Sequence, residues 1–331
     1  MKKFRYKNIL LYTSHQWCGN TEEYFVRNTD KLAVFLLMPR VQTKNNILRI
    51  YERGKLVKVE QTPLSENFFL YYFLWYFHYL VAIFKHFPRN EKLIVITAHP
   101  YIFFAMTLQK LFRKIAFVYW ISDYWPPVNI ILRLYEHLKR FYHDNIDFAC
   151  YLGDGVNRVM NGKVINSGNK RTIIWGVAPK HIKRVFSKAK HTILFVGVVR
   201  PAGGLEIIYD FLSKNKEFKL KVIGVCEIGI HREHKHLIRK YNIEKQVFFP
   251  NRFFFDDELN EISKECFVGA ALYTTDKTYP IYYADPGKVK AYTEMGLPVI
   301  MTKTSSIFPY IQRFHAGEVI DRNVTAFSDA I

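Results

Sequence analysis

The sequence predicts an α/β protein made of two Rossmann-like, doubly wound parallel-sheet domains facing a cleft. Three observations predict it. Short apolar runs ending in polar or Gly/Pro residues alternate with helical patterns in two successive cycles, and strands alternating with helices form a parallel sheet covered on both faces. The chain has 331 residues, 49% hydrophobic and 17% aromatic, which is enough apolar surface for two cores at a typical domain size of ~150 residues. Between the two cycles lies "APKHIKRVFSKAKH" at 178–191, polar, basic and without strand character. It reads as the link, so the domains are expected at 1–180 and 189–331.

In the first cycle the strands are "NILLYTS" (8–14), "LAVFLLMP" (32–39), "KLIVITAHP" (92–100), "IAFVYWISD" (115–123), "DFACYLG" (147–153) and "RTIIWGV" (171–177). Helical patterns at 101–113 and 128–143 sit between some of them. The segment "FFLYYFLWYFHYLVAIF", 68–84, has one clearly polar side chain, His78, and falls short of the ~20 residues that a membrane span needs. Leu70, Phe73, Phe77, Leu80 and Phe84 recur at helical spacing, so they are expected to form a core face. Tyr72, Tyr76 and Tyr79 form a second stripe, of a kind that also suits a lipid interface. The second cycle comprises "HTILFVGVV" (191–199), "FKLKVIGV" (218–225), "KQVFFPN" (245–251), "FVGAALY" (267–273) and "LPVIMTK" (297–303), again with helices between.

Composition narrows the partners. Forty-eight Lys and Arg against 29 Asp and Glu give a formal charge of +19, which favours an anionic partner: a phosphate-bearing small molecule, nucleic acid or an anionic membrane surface. The basic residues are spread out and no nucleic-acid motif is present, so nucleic acid is not expected. Cys18, Cys150, Cys226 and Cys266 form no C-x-x-C pair, which indicates neither a zinc site nor a disulfide framework and fits a reducing cytosol. The start, "MKKFRYKNILLYTS", lacks the apolar length and cleavage site of a signal peptide. "HREHKH", with His231, His234 and His236, reads as a solvated helix face, and no metal is expected there.

Two segments carry candidate chemistry. In "FVGVVRPAGGLEIIYDF" a buried strand ending at Gly197 runs through Arg200, Gly203 and Gly204 into a helix. Glycines at such a turn let a phosphate approach the helix N-terminus, although the six-residue dinucleotide fingerprint is absent. In "ADPGKVKAY", Lys288 follows a Pro286-Gly287 turn at a predicted helix start, where its ammonium and the first-turn amides can converge on oxyanions. A solvated lysine on a helix cap is the plainer alternative.

Taken in order, "LFVGVVRPAGGLEII", "FFPNRFFFDDELNEISKECFVGAALY" and "YYADPGKVKAYTEMGLPVIMT" resemble the C-terminal domain of GT-B glycosyltransferases of the group-1, or family 4, type. "VITAHP", "WISDYW" and "TIIWGVAP" extend the resemblance backwards over nearly the whole chain. The resemblance implies that Gly197, Arg200, Gly203 and Gly204 open the donor domain and that Asn251 and Arg252 flank the nucleotide base. It further implies that Tyr283, Asp285, Pro286, Gly287 and Lys288 close around the diphosphate and sugar, and that His99 and Asp123 are the catalytic groups at strand ends of the acceptor domain.

Where relatives carry an Arg and a Lys on the diphosphate, this sequence has Val198 and Gly203, and where they carry two glutamates it has Tyr283 and Ala291. Relatives also continue through further C-terminal helices, so a fragment is expected. The implied activity is transfer, with retention, of a sugar from a nucleotide diphosphate donor to a glycan or lipid-linked acceptor in cell-surface polysaccharide synthesis. The nucleotide sugar would be a substrate, with no other cofactor, and the protein would be cytoplasmic and peripheral on the inner membrane face. A GT-B-fold sugar-nucleotide epimerase and a catalytically degenerate scaffold that binds glycan or a partner are the alternatives.

Overall fold

A computed structural model of the chain describes residues 6–13, 21–36, 46–62, 68–98, 109–173, 191–254 and 256–331. The chain divides into two compact units, Met1–Ser122 with Pro127–Trp175, and Asp123–Pro126 with Gly176–Ile331.

The described strands of the first unit are β1 (Tyr6–Thr13), β2 (Thr29–Leu36), β3 (Asn46–Glu52), β4 (Lys55–Thr62), β5 (Leu93–Thr97), β6 (Ile115–Ile121), β7 (Phe148–Tyr151) and β8 (Lys170–Thr172). They form one sheet in the order β4-β3-β2-β1-β5-β6-β7-β8. The described helices are α1 (Thr21–Asn28), α2 (Phe68–His86), α3 (Ile130–Asp144) and α4 (Asp154–Asn161). The sheet is parallel from β2 to β8, and its core runs through Leu11, Val34 and Ile96.

Three sequence readings need correction or limits here. The sheet is not wholly parallel, because β3 and β4 add an antiparallel hairpin at the edge, turning at Arg53 (φ 49°) and Gly54 (φ 84°). Both positive φ values suit the primed turns whose twist matches paired strands. The second correction concerns α2. Tyr79, Ala82 and Ile83 face the core, where the Tyr79 ring meets Tyr12 edge-on at 5.1 Å, whereas Leu70, Phe73, Phe77 and Phe84 of the expected core stripe are exposed. Tyr79 packs edge-on against Tyr12 of β1 and Phe35 of β2, which leaves the phenylalanine stripe turned outward. Last, only 109–113 of the helix expected at 101–113 lies among the described residues, as does only His191 of the link at 178–191.

The second unit has β9 (Thr192–Val196), β10 (Lys219–Ile223), β11 (Val247–Phe248), β12 (Val268–Ala271), β13 (Val299–Thr302) and β14 (Gly317–Ile320), all parallel, in the order β11-β10-β9-β12-β13-β14. Its helices are α5 (Leu205–Lys214), α6 (Ile228–Lys240), α7 (Asp256–Ser263), α8 (Gly287–Glu294), α9 (Phe308–Arg313) and α10 (Val324–Ala330). One core layer gathers Phe195, Ile208 and Phe327, and the other gathers Leu194, Val289 and Tyr292, so both sheet faces are covered. On α6 the expected solvated histidine face holds only in part. His234 is buried, 3.2 Å from the Tyr209 hydroxyl, because its ring turns inward between α6 and α5.

Candidate functional site

In the second sheet the chain winds outward from β9 in one direction through β10 and β11, then returns to place β12 on β9's other side. Crossovers therefore leave in opposite senses at the β9/β12 junction, and the crevice beyond the C-terminal ends of these two strands is where open α/β sheets take ligands. The junction opens early, since β12 pairs with β9 only through Val268↔Ile193 and Gly269↔Leu194. Past that point Tyr292 of α8 splices the strands. Its hydroxyl accepts from the Val196 amide at 2.9 Å and donates to the Ala270 carbonyl at 3.0 Å. The ring has room because residue 269 is glycine, where a Cβ would come within 2.3 Å of it.

The turn after β9 is pressed onto the end of β12. Gly197 takes φ 108°, a 3-10 turn covers Pro201–Gly203, and Gly204, at φ 82°, caps α5. A Cβ on Gly204 would lie 2.3 Å from the Leu272 carbonyl, so only glycine permits this approach.

Lys288, in the first turn of α8, reaches into the same junction. Its Cε lies within 3.9 Å of where a Cβ on Gly197 would be, and its ammonium sits 3.7 Å from the Phe195 ring centroid and 4.9 Å from that of Tyr273. Lys288 as a residue is half-buried, and its charged end lies among rings at the ends of β9 and β12, unlike the plain solvated cap lysine of the alternative reading. Burial, with Arg200 as a neighbouring like charge, pulls its pKa down from 10.5 to about 7. Lys288, with the like charge of Arg200 acting on it, thus lies beside a glycine turn and the N-terminus of α8, an arrangement whose chemistry suits an anion.

Asp285 lies just before α8 and is buried. Its Oδ2 accepts from Lys290 Nζ at 2.5 Å, while Oδ1 has no hydrogen-bond partner among the described residues. Burial raises its pKa against the opposing pull of Lys290. Pro286 and Gly287 form the entry to the helix. Tyr283 packs edge-on against Tyr282 at 5.1 Å and against Tyr124 at 4.9 Å, Tyr124 belonging by its contacts to the second unit.

The other expected residues are committed elsewhere or lie outside. Asn251, at φ 49°, uses its Oδ1 to accept from the Cys226 amide at 2.8 Å. Arg252 is exposed, paired with Glu258 at 2.6 Å and stacked 3.7 Å from the Phe254 ring. Asp123 is exposed two residues past β6, and its segment Asp123–Pro126 groups with the second unit. His99 lies outside the described residues. Sequence reasoning missed Phe195, Tyr273 and Tyr292. The first two read only as strand residues, and the available signal was that both end strands adjoining the point where the strand order reverses.

No family model and no curated protein matches the sequence. Solved structures do. The chain is similar to sucrose-phosphate synthase from Thermosynechococcus elongatus, at 12% identity and TM-score 0.69, covering 98% of this chain and 88% of that one. It is similar to Anabaena HepE in complex with UDP, at 11% identity and TM-score 0.63, covering 97% and 88%. It is also similar to the lipopolysaccharide outer core galactosyltransferase WaaB, at 13% identity and TM-score 0.57, covering 99% and 89%. The fold is GT-B: two Rossmann-like units in one chain.

Proposed function

We propose that the protein is a glycosyltransferase that moves a sugar from a nucleoside diphosphate sugar to a glycan or lipid-linked acceptor. The observation that carries the reading is that Lys288 and the Gly203-Gly204 turn meet at the β9/β12 junction, with Arg200 near enough to act on Lys288 as a like charge. When the bond between the anomeric carbon and the diphosphate oxygen breaks, negative charge builds on the departing diphosphate, and preorganised cations and helix amides stabilise it. HepE, similar in fold, was solved with UDP, and WaaB is a galactosyltransferase of the lipopolysaccharide outer core. The UDP of HepE supports a nucleotide-sugar donor, and the name of WaaB supports a lipid-linked acceptor in surface glycan synthesis.

His99 and Asp123, both following strands of the first sheet, are assigned to the acceptor side. Retention is the expected stereochemistry, and the domain division at 1–180 and 189–331 belongs to the same reading. A degenerate scaffold is the second reading, favoured by Tyr283 and Ala291 where acids would hold the donor and by the engagement of Asn251 and Arg252 with other partners. Incubating the full chain with a panel of nucleotide sugars and bacterial lipid extracts separates the two. Released nucleoside diphosphate with a glycosylated lipid supports transfer; an epimerised donor sugar, or no product with any donor, contradicts it.

A further inference from the structure

The turn that opens α5 carries a charge that works against an anion bound there. Glu206 lies in the first turn of α5, two residues past the Gly204 cap. A carboxylate at that position suits the helix dipole, but it sets a negative charge beside the amides that would meet the diphosphate. Arg322 answers it. Its Nη2 pairs with Glu206 Oε1, and its Nε donates to the Leu272 carbonyl at 3.3 Å. That carbonyl is the group against which Gly204 is pressed, where a Cβ would come within 2.3 Å. One guanidinium therefore joins the end of β12 to the first turn of α5 at the glycine turn itself.

Fixed neighbours bring Arg322 to this point. Strand β14 ends at Ile320, and Asn323 caps α10 by accepting from the Ala326 amide at 2.8 Å, so the chain is held on both sides of the arginine. Phe327 of α10 is fully buried and meets Phe211 of α5 edge-on at 5.4 Å, which packs α10 on the helix that carries Glu206. The Arg322 and Glu206 side chains remain 27% and 41% exposed. An ion pair this open to water adds little to a fold. Its charges still act on an anion held a few ångströms away, because two charges of opposite sign in contact present almost no net charge and either one alone presents a full unit.

We propose that Arg322 is a positioning residue of the diphosphate site, which holds the Glu206 carboxylate to itself and so cancels its repulsion of a bound nucleoside diphosphate. The inference rests on the transferase reading for its ligand. A clamp that merely fixed the glycine turn would make the loss of either partner harmful to binding. Charge balance makes the two losses opposite in sign.

The test is calorimetric titration of uridine, guanosine, adenosine and cytidine diphosphates into the full chain at pH 7 and low salt, followed by the same titration of the diphosphate that binds wild type into each variant. Arg322→Gln should weaken binding by about three- to tenfold, because the carboxylate then acts unopposed. Glu206→Gln should tighten it by about as much, because the carboxylate is gone and the guanidinium remains. The double variant should return close to wild type, and Arg322→Lys, which keeps the charge, should bind better than Arg322→Gln. All these differences should shrink as salt rises, which the loss of a mechanical clamp would not do. Should Arg322→Gln fail to fold, Glu206→Gln decides alone, since removing the acid must tighten binding. Glu206→Gln that weakens binding, or leaves it unchanged, overturns the proposal, and so does Arg322→Gln that folds and binds as wild type. Wild type that binds none of the four diphosphates removes the transferase reading and this inference with it, whereas wild type that binds, with both single variants weakened, removes the inference alone.

Discussion

At Lys288 burial of the ammonium, with Arg200 as a neighbouring like charge, loosens its proton against the opposing attraction of two aromatic rings. The folded pKa, about 7, is below the ordinary 10.5, so the folded protein binds fewer protons than the unfolded chain between these values. On this group's account the fold is least favoured below about pH 7, and the penalty fades as pH rises toward 10.5. Ligand binding has the opposite sign. A diphosphate prefers the charged ammonium, so affinity should fall by up to about tenfold per unit as pH rises above 7, with proton uptake on binding. Phosphate itself is fully ionised in that window, its last pKa being ~6. Calorimetric titration in buffers of different ionisation enthalpy reads the uptake, which Lys288→Ala should abolish. The sequence placed this lysine at a helix start after a Pro-Gly turn. It did not place Phe195 and Tyr273 around the charge, because those neighbours come from strands roughly fifteen and ninety residues away in the chain, and local spacing carries no information about them.

At the scale of elements, the opening between β9 and β12 depends on a single helix residue. Tyr292 partners the Val196 amide and the Ala270 carbonyl after the strands part, and it stands in the space that Gly269 leaves. Tyr292→Phe keeps the ring and removes both partners from buried backbone groups, at a cost of about 1–3 kcal/mol. In a urea melt followed by circular dichroism, the second unit should unfold at lower denaturant with an unchanged slope. An unchanged midpoint would show that the splice contributes nothing. Strands and helices of this unit were legible as alternating patterns, since each parallel strand is an apolar run bounded by polar residues. Helix α2 was legible as a helix but not in its orientation. Its residues are apolar nearly all round, so periodicity could not say which stripe meets the sheet, and the contact of Tyr79 with Tyr12 decided it.

At the scale of the molecule, two doubly wound units on one chain were readable from the two cycles of strands, and the strand order of the second unit places its crevice between β9 and β12. The edge hairpin of β3 and β4 was not readable. It pairs across a two-residue turn whose residues, Arg53 and Gly54, carry a weaker signal than Asn-Gly, and β4 exposes Leu56, Val57 and Val59 on consecutive and alternate positions without a clean apolar face. The account's central claim is that a nucleoside diphosphate is held at the β9/β12 junction by Lys288 and Arg200. Titrating uridine, guanosine, adenosine and cytidine diphosphates into wild type, Lys288→Ala and Arg200→Ala by calorimetry at pH 7 tests it most directly. At least one diphosphate should bind wild type, and each variant should lose about ten- to a hundredfold in affinity, the worth of one charge-assisted contact of ~1.5–3 kcal/mol, with no fall in melting temperature. Binding to wild type that neither substitution weakens would contradict the claim and place the diphosphate elsewhere.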